Sequence, residues 1–407
     1  MRKALEGSQA IAQTVALCRP QVVAAYPITP QTHIVENIAK LVADGKMDCE
    51  LVSVESEFSA ASLVLGAASA GSRTYTASAS QGILLMSEVL YNIAGLRVPM
   101  VMTCANRAIS APLSIWNDQQ DSMAVRDAGW IQLYCADNQE AVDTTIQAYR
   151  IAEATELPVM VCMDGFTLTH TLEPIDIPEQ TMVDAYLPPF SYKRALDSAN
   201  PISVGTLVSP DYFPEARHAH HHALLDSLDE IVAADNDWQA LSTRTAGGLL
   251  SVDGAEDARI GIITLGSIYG TLSEARDEYS DLPATKLIKL RAYRPFPVEA
   301  LRIACTGLTD LVVLERALSP GFGGIVSSEV HAALAGMTDM AGKAKLPKIH
   351  SFAVGLGGRD IPLQIYRTLH QQIDVTEPRP FTIIDVELDK LSVEDIGIDK
   401  SSREVNK

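Results

Sequence analysis

The sequence predicts an α/β fold in which helices cover parallel sheets. Short apolar runs alternate with longer helical segments up to about residue 185, and the same alternation returns after about residue 257. Glycine or proline stands at most of the junctions between these segments. With 407 residues and 47% hydrophobic content, the chain is long enough for two or three domains, each with its own buried core.

The first unit is predicted over residues 1–185. Its first twenty residues are interrupted by Glu6 and other polar side chains, so they predict an amphipathic helix and not a signal peptide. The predicted strands are Val22–Ala25, Leu51–Val54, Thr74–Ala77, Pro99–Thr103, Ile131–Cys135 and Val159–Met163. The predicted helices are Thr32–Ala43, Phe58–Ala70, Ile83–Ile93 and Asn138 to about Ala154.

A proline-rich stretch separates this unit from the second one. Residues 186–257 carry several prolines, a His-rich patch and Gly247-Gly248, which indicates a linker region with one or two helices. The second unit is predicted over residues 258–375, and an edge strand at Phe381–Val386 with a charged tail is predicted over residues 376–407. The strands predicted in the second unit are Ile260–Leu265, Thr285–Leu290, Leu311–Glu315 and Lys348–Val354.

Charge and cysteine usage exclude several classes of function. The chain has 32 basic and 51 acidic residues and a net charge of −19, which repels nucleic acids and anionic membranes. No apolar run reaches the length of a membrane span. The six cysteines have no short spacing, so we expect reduced thiols in a cytoplasmic protein and no iron–sulfur cluster on this chain.

The candidate site lies where the first four predicted strands end. Ligands of open parallel sheets bind beyond the carboxyl ends of the strands, so the residues directly after each strand are the ones that matter. These turns are Tyr26–Pro30, Glu55–Glu57, Ser78–Gly82 and Asn106–Ser110. We therefore expect all four to converge on one edge of one sheet.

Three side chains in these turns suit a small substrate that carries a carboxylate. The prolines on either side of Ile28 and Thr29 restrict the backbone and hold the hydroxyl of Thr29 in place. Arg107 offers a planar fork of donors that binds a carboxylate through two hydrogen bonds. Glu57 opens a helix of apolar and small residues, where its carboxyl is poorly solvated and its protonated form is favoured.

At these turns the chain resembles a known family. In order along the chain, its motifs resemble those of the alpha subunits of pyruvate:ferredoxin oxidoreductases, members of the 2-oxoacid:ferredoxin oxidoreductase family. The motifs are Tyr26–Pro30, Glu55–Glu57, Ala79–Gly82, Asn106–Pro112, Asn117–Asp121, Asp164–Phe166, Arg291–Pro297, Gly321–Gly324 and Gly355–Asp360. The resemblance covers nearly the whole chain.

The resemblance implies the fold of each unit and a role for each site residue. It implies a pyrimidine-type domain for thiamine diphosphate, followed by a domain like the carboxyl-terminal domain of transketolase. Glu57 matches the catalytic glutamate that contacts N1′ of the aminopyrimidine, and Thr29 and Arg107 match contacts to the substrate carboxylate. The remaining residues expected to contact the cofactor are Tyr26, Pro27, Ile28, Gln81 and Gly82.

The resemblance also implies partner chains. The chain contains neither the Gly-Asp-Gly motif that binds diphosphate and Mg²⁺ in the family nor a Cys-x-x-Cys for clusters. We therefore expect a beta subunit that holds the diphosphate half and Mg²⁺, a gamma subunit, and a ferredoxin-like delta subunit with [4Fe-4S] clusters. Together they would convert pyruvate and coenzyme A to acetyl-CoA and CO₂ with reduction of ferredoxin, or catalyse the reverse reaction. No metal ligand is assigned to this chain.

Other interpretations stay open for these residues. Taken alone, Glu57 is a first-turn acid favoured by the helix dipole, Arg107 a solvated cation and Tyr26–Pro30 a rigid turn. Gly321–Gly324 and Gly355–Gly358 predict tight turns, and the patch around His218–His222 predicts solvated side chains without a metal.

Two alternative functions also remain. One is a subunit of a 2-oxoglutarate or branched-chain 2-oxoacid oxidoreductase, although Asn106–Pro112 is of the pyruvate type and lacks the Gly-Gly-Pro associated with those relatives. The other is a scaffold subunit without catalysis, against which Thr29, Glu57 and Arg107 at one edge argue.

Overall fold

The computed structural model describes residues 2–337, 346–373 and 380–391. Residues up to 242 contain the elements β1 (Lys3–Glu6), α1 (Gly7–Cys18), β2 (Val22–Ala25), α2 (Thr32–Ala43), β3 (Glu50–Ser53), α3 (Glu57–Ser69), β4 (Thr74–Ser78), α4 (Ser80–Leu85), α5 (Ser87–Gly95), β5 (Val101–Asn106), α6 (Gln120–Ala124), β6 (Ile131–Tyr134), α7 (Asn138–Thr155), β7 (Val159–Asp164), β8 (Leu172–Ile175), α8 (Gln180–Tyr186) and α9 (Phe213–Ser242).

The later elements are β9 (Leu250–Asp253), β10 (Ile260–Thr264), α10 (Ile268–Glu278), β11 (Thr285–Leu290), β12 (Ala292–Arg294), α11 (Val298–Ala304), β13 (Asp310–Glu315), α12 (Ile325–Leu334), β14 (Lys348–Ala353), α13 (Ile365–Ile373) and β15 (Thr382–Ile383). Short 3₁₀ turns lie at Arg126–Ala128, Leu356–Gly358 and Leu388–Lys390.

A seven-stranded sheet forms the centre of the first unit. Its strand order is β12-β6-β7-β5-β4-β2-β3, and every pairing is parallel except that of β12 with β6. The strands β4, β5, β6 and β7 are buried along their whole length, as expected for the central strands of a parallel sheet that is covered on both faces. Their carboxyl ends form the edge that carries the candidate site.

Two hydrophobic cores cover the faces of this sheet. One face packs against α1, α7, α8 and α9, and its largest fully buried side chain is Trp238. The other face packs against α3, α4 and α5, and its core continues without a break into the second unit through residues such as Ile263 and Leu290. Burial of the central strands fixes their register, because a slip by one residue would move every side chain to the opposite face of the sheet.

The second unit is a six-stranded sheet of order β15-β14-β13-β10-β11-β9. Its pairings are parallel except that of β9 with β11. The fold class predicted from the sequence is therefore confirmed, with a parallel-sheet core in each unit. No helix in the described ranges combines the length and the apolar character needed to cross a membrane.

Some elements differ from the prediction. The helix predicted at Ile83–Ile93 begins earlier, at Ser80, and is interrupted at Met86. The strand predicted at Phe381–Val386 lies at the sheet edge but is only two residues long, and most of the predicted tail lies outside the described residues. The strands β1, β8, β9 and β12 were not predicted, because antiparallel strands of three or four residues carry too short a pattern.

The region between the units has more structure than a linker. It contains the thirty-residue helix α9, which begins with Pro214 in its first turn and buries Ile231, Ala234 and Trp238 at helical spacing. Its last part, β9, joins the second sheet, whereas β12 from beyond residue 257 joins the first. The domain limits at residues 185, 257 and 375 stay a prediction.

Candidate active site

Four turns meet at the carboxyl edge of the first sheet. They follow β2, β3, β4 and β5, as the sequence predicted for a parallel sheet. The turn after β2 touches the turn after β5 through a hydrogen bond from Arg107 Nη1 to the carbonyl oxygen of Thr29, 2.9 Å long. The start of α3 touches the start of α4 where Glu57 lies against Gly82. The structure thus brings Thr29, Glu57, Gly82 and Arg107 to one edge.

Glu57 is the first residue of α3 and is buried. Ser56 precedes it with an extended backbone and caps the helix, since its Oγ accepts a hydrogen bond from the backbone N–H of Ser59. The residue is only 6% exposed, yet its carboxyl group makes no hydrogen bond or ion pair with any described residue. A buried acid without a partner is unusual in a protein that has no ligand for it. This burial argues against a plain surface acid at a helix start.

Gly82 leaves the space that the Glu57 side chain occupies. A Cβ atom at position 82 would lie 2.6 Å from Oε1 of Glu57 and 2.3 Å from Oγ of Ser78, which is too close for either contact. The Oγ of Ser78 and the Nε2 of Gln81 are also buried, and neither has a hydrogen-bond partner within the described ranges. Two polar groups without a described hydrogen-bond partner, on Glu57 and Ser78, therefore lie against Gly82, as expected for the wall of a hydrogen-bonding ligand site.

Arg107 is almost fully buried and is held in place by backbone carbonyls. Its Nε donates to the carbonyl oxygen of Ser114 at 3.1 Å, and its Nη1 donates to that of Thr29 at 2.9 Å. Desolvation lowers the pKa of Arg107, and the carboxylate of Asp121 acts in the opposite direction. The third nitrogen, Nη2, donates to no group in the described part of the chain, so it is available to an anionic ligand.

The turn Tyr26–Pro30 is locked by Gln31, a residue that the sequence analysis did not single out. Gln31 is fully buried, and its Nε2 donates to the carbonyl oxygen of Ala77 in β4 at 2.9 Å. Its Oε1 accepts a hydrogen bond from the backbone N–H of Ile28 at 3.2 Å. The side chains of Tyr26, Pro27 and Thr29 stay exposed. Contact between Thr29 and Arg107 is made by the carbonyl oxygen of Thr29 and not by its hydroxyl.

Asp121 connects the turn at Ser80 with the turn at Arg107. Its Oδ2 accepts hydrogen bonds from the backbone N–H groups of Ser80 and Arg107, at 2.8 and 2.9 Å. Its Oδ1 accepts from Asn106 Nδ2 at 2.8 Å and from the N–H of Ser122 at 2.7 Å. Complete burial raises the pKa of Asp121 to about 6, and the four donors act against that rise. Asp121 thus ties the turn before Gly82 to the turn that carries Arg107.

The second unit braces this edge through a second buried carboxylate. Asp164, at the end of β7, accepts hydrogen bonds from the N–H of Ser267 at 2.9 Å and from Gln119 Nε2 at 2.9 Å. It also pairs with Arg316 across 3.3 Å. The turn that contains Gly357 donates its N–H to Asp118 at 3.2 Å. These contacts hold the second sheet against the loop that follows Arg107.

The glycine-rich segments of the second unit are structural turns. Gly321, Gly323, Gly355, Gly357 and Gly358 all have positive φ, between 61° and 139°. Directly after the segment Gly321–Gly324, the first three backbone N–H groups of α12 donate hydrogen bonds to the carboxylate of Glu315. The geometry agrees with the tight turns inferred from the sequence.

The histidine patch lies on α9, away from the four turns. His218 and His222 stack with ring centroids 4.1 Å apart. His220 differs from the solvated side chain that was expected, because it is buried and its Nε2 lies 3.3 Å from the carbonyl oxygen of Gly129.

Sequence comparison gives matches along almost the whole chain. The family model described as pyruvate flavodoxin/ferredoxin oxidoreductase, thiamine diphosphate-binding, matches residues 13–234. The model described as pyruvate:ferredoxin oxidoreductase core domain II matches residues 258–365.

The alignments with curated relatives cover most of each relative and most of this chain. Pyruvate synthase subunit PorA of Methanosarcina barkeri is 44% identical over 365 residues, 88% of this chain and 89% of the relative. The same subunit of Methanothermobacter thermautotrophicus is 45% identical over 362 residues, 88% of this chain and 92% of the relative. Ketoisovalerate oxidoreductase subunit VorA of Pyrococcus horikoshii is 36% identical over 375 residues, 92% of this chain and 94% of the relative.

A solved structure shares the fold. The 2-oxoglutarate:ferredoxin oxidoreductase from Magnetococcus marinus superposes with a TM-score of 0.69 at 21% sequence identity. The match covers 92% of this chain and 65% of the other, so this chain spans about two thirds of that protein's length.

Replacing Asp121 with asparagine tests whether this carboxylate holds the edge together. The amide NH₂ of Asp121→Asn would face two buried N–H donors, so we expect the free energy of unfolding to fall by about 2–4 kcal/mol. Denaturant unfolding measures this loss. The matched control is Asp127→Asn, whose side chain is 68% exposed and should change stability by less than about 0.5 kcal/mol. Equal losses in both variants would contradict the role given to Asp121.

Proposed function

Because the chain belongs to the pyruvate flavodoxin/ferredoxin oxidoreductase family, we propose that it is the subunit of a pyruvate:ferredoxin oxidoreductase that supplies the aminopyrimidine side of the thiamine diphosphate site. The complete enzyme converts pyruvate and coenzyme A to acetyl-CoA and CO₂ with reduction of ferredoxin, or catalyses the reverse reaction. The observation that carries the proposal is the buried, unpartnered carboxyl group of Glu57 against Gly82.

The residues at this edge fit the aminopyrimidine half of the cofactor. An aminopyrimidine ring is flat and bears both donors and acceptors, so it needs a close approach to the backbone and hydrogen-bonding partners. Gly82 gives the close approach, and Glu57, Ser78 and Gln81 offer polar atoms that no described residue satisfies. Bound thiamine diphosphate supplies the electron sink for breaking the bond between the carboxyl and oxo carbons of pyruvate.

Glu57 holds the proton at N1′ of the aminopyrimidine in this proposal. Glu57 is only 6% exposed at the first turn of α3, so little water reaches its carboxyl group. The fixed cap at Ser56 and the close packing on Gly82 limit where the carboxyl group can point. Tyr26, Pro27, Ile28 and Gln81, in the turns after β2 and β4, complete the contacts proposed for the cofactor.

Arg107 and Thr29 bind the carboxylate of pyruvate in this proposal. Two carbonyl oxygens hold the guanidinium group and leave Nη2 to bind an anion. Burial strengthens such a contact because the local dielectric constant is low. The exposed hydroxyl of Thr29 lies on the same turn and provides a second polar contact.

Partner chains supply what this chain lacks. The sequence has no Gly-Asp-Gly for the diphosphate and Mg²⁺ and no Cys-x-x-Cys for an iron–sulfur cluster. We infer a beta subunit with the diphosphate-binding half, a gamma subunit, and a delta subunit whose [4Fe-4S] clusters pass electrons to ferredoxin. The limits of the two domains, near residues 185 and 257, and a cytoplasmic location belong to the same proposal.

Pyruvate is the substrate that the similarities favour. The pyruvate synthase relatives are 40–45% identical to this chain, whereas the ketoisovalerate relatives are 36–37% identical. A scaffold without catalysis has no need for a buried, unpartnered acid beside a buried arginine.

Glu57→Gln tests the proposed acid. The amide cannot exchange a proton with the ring nitrogen, so we expect turnover of pyruvate in the assembled complex to fall at least about 100-fold. Copurification of the partner chains should be unchanged, because the carboxyl group of Glu57 makes no hydrogen bond or ion pair with any residue that the structure describes. Glu55→Gln is the control, since this exposed carboxyl lies two residues away and should leave turnover near the wild-type value. Wild-type turnover in Glu57→Gln would contradict the proposal.

Arg107→Ala tests the carboxylate contact. Only the 2-oxo acid loses its partner, so the KM for pyruvate should rise roughly tenfold or more, while that for coenzyme A changes less than about twofold. Steady-state kinetics of the complex measures both constants. Arg19→Ala, which removes a 61% exposed side chain, is the control and should change neither constant. An equal rise in both KM values would remove Arg107 from substrate binding.

Isolation of the chain from its native source tests the inferred partners. We expect it to elute with further polypeptides in a brown, iron-containing complex that oxidises pyruvate in preference to 2-oxoglutarate or 3-methyl-2-oxobutanoate. A colourless chain that elutes alone, or a complex that prefers another 2-oxo acid, would count against this assignment.

A further inference from the structure

Three side chains from distant parts of the chain meet beside the candidate active site. Glu6 stands at the end of β1, His33 lies in the first turn of α2, and His170 lies in the turn after β7. One oxygen or nitrogen atom from each lies within 4.8 Å of the other two. We propose that Glu6, His33 and His170 bind a divalent cation of the first transition series. The proposal is independent of the thiamine diphosphate site.

The spacing of the two imidazole rings fits a cation with right angles between its bonds. With metal–nitrogen bonds of about 2.1 Å, a right angle places the ring centroids roughly 4.6 Å apart, and a tetrahedral angle places them roughly 5.3 Å apart. The centroids of His33 and His170 are 4.4 Å apart. Two histidines and one carboxylate on one face of an octahedron are a known ligand set for such cations.

The carboxylate is already next to one of the histidines. Oε1 of Glu6 lies 2.6 Å from Nδ1 of His33, the distance of a strong hydrogen bond. A cation would take the place of the shared proton and draw the two atoms slightly apart. Side-chain exposures of 27% for Glu6 and 44% for His33 leave room for the cation to enter and for water to fill its other positions.

His170 is oriented by groups outside the trio. Its Nδ1 lies 2.7 Å from Oγ1 of the buried Thr169, and that Oγ1 accepts a hydrogen bond from the N–H of Phe166 at 2.8 Å. This contact fixes the ring and leaves its Nε2 for a ligand, as in metal sites whose histidines are held by a second hydrogen bond. The ring of Phe166 also packs against that of His170, with centroids 4.6 Å apart.

A cation here would connect the segments around the Tyr26–Pro30 turn. His33 follows that turn by three residues, and Gly165, in the turn that leads to His170, packs against the ring of Pro30. Binding to the folded state alone stabilises it in proportion to the logarithm of the ligand concentration. The expected effect is thus a cation-dependent rise in the melting temperature and not a change of fold.

Cobalt binding tests the proposal. The untagged 407-residue chain, treated with a chelator and dialysed, is titrated with Co²⁺, and we expect one equivalent to bind with micromolar or lower Kd. X-ray absorption at the cobalt edge should show two imidazole ligands and five or six donors. The double variant His218→Ala/His222→Ala removes a competing histidine pair on α9 and should keep this binding.

The single variants His33→Ala and His170→Ala should each weaken Co²⁺ binding at least tenfold and abolish the rise in melting temperature. The half-exposed side chain of His33 can be removed without opening the core, so its variant should fold. Unchanged binding in both variants, loss of binding in His218→Ala/His222→Ala, or no stoichiometric binding by the wild type would each overturn the proposal. Loss of binding in His218→Ala/His222→Ala and the lack of stoichiometric binding by the wild type are both measured without changing Glu6, His33 or His170. Neither outcome bears on pyruvate turnover.

Discussion

One buried carboxylate connects the turns at the edge that carries the candidate site. Asp121 is fully buried and accepts hydrogen bonds from the backbone N–H groups of Ser80 and Arg107, which lie in two different turns. Ser80, one of the two donors, has a left-handed backbone with φ of 50°, which costs on the order of 1 kcal/mol for a residue with a side chain. Its hydrogen bonds to Asp121 and to the carbonyl oxygen of Ala108 offset that cost. The position of Gly82 under Glu57 follows from this arrangement.

The second unit contacts the segments next to this edge. Its residues Ser267 and Arg316 surround Asp164, and the turn at Gly357 binds Asp118. Asp118 belongs to the segment after Arg107, and Asp164 accepts a hydrogen bond from Gln119 of the same segment, so these contacts help to hold that segment in place. A rigid arginine fork binds a carboxylate with less loss of side-chain entropy than a mobile one.

The apolar runs of buried strands were sufficient to predict the parallel sheets, and the rule for open sheets then placed Thr29, Glu57 and Arg107 at one edge. What the sequence could not supply were pairings that depend on the fold. Asp121 and Gln31 look like ordinary loop and helix residues until their distant N–H and carbonyl partners are known. For Gln31, the sequence offered one signal, which was the position of a glutamine directly after the turn Tyr26–Pro30. The meeting of Glu6, His33 and His170 has no local pattern at all.

The strand β12 has a consequence for how the chain can be divided. It lies beyond β9, β10 and β11 in sequence but completes the first sheet by pairing with β6, and the core on one face of that sheet includes side chains from the second unit. A fragment cut between residues 257 and 258 would expose the backbone edge of β6 and an apolar surface, both of which promote aggregation. The pairing of β12 with β6 and the shared core therefore favour an arrangement in which both units stay on one polypeptide.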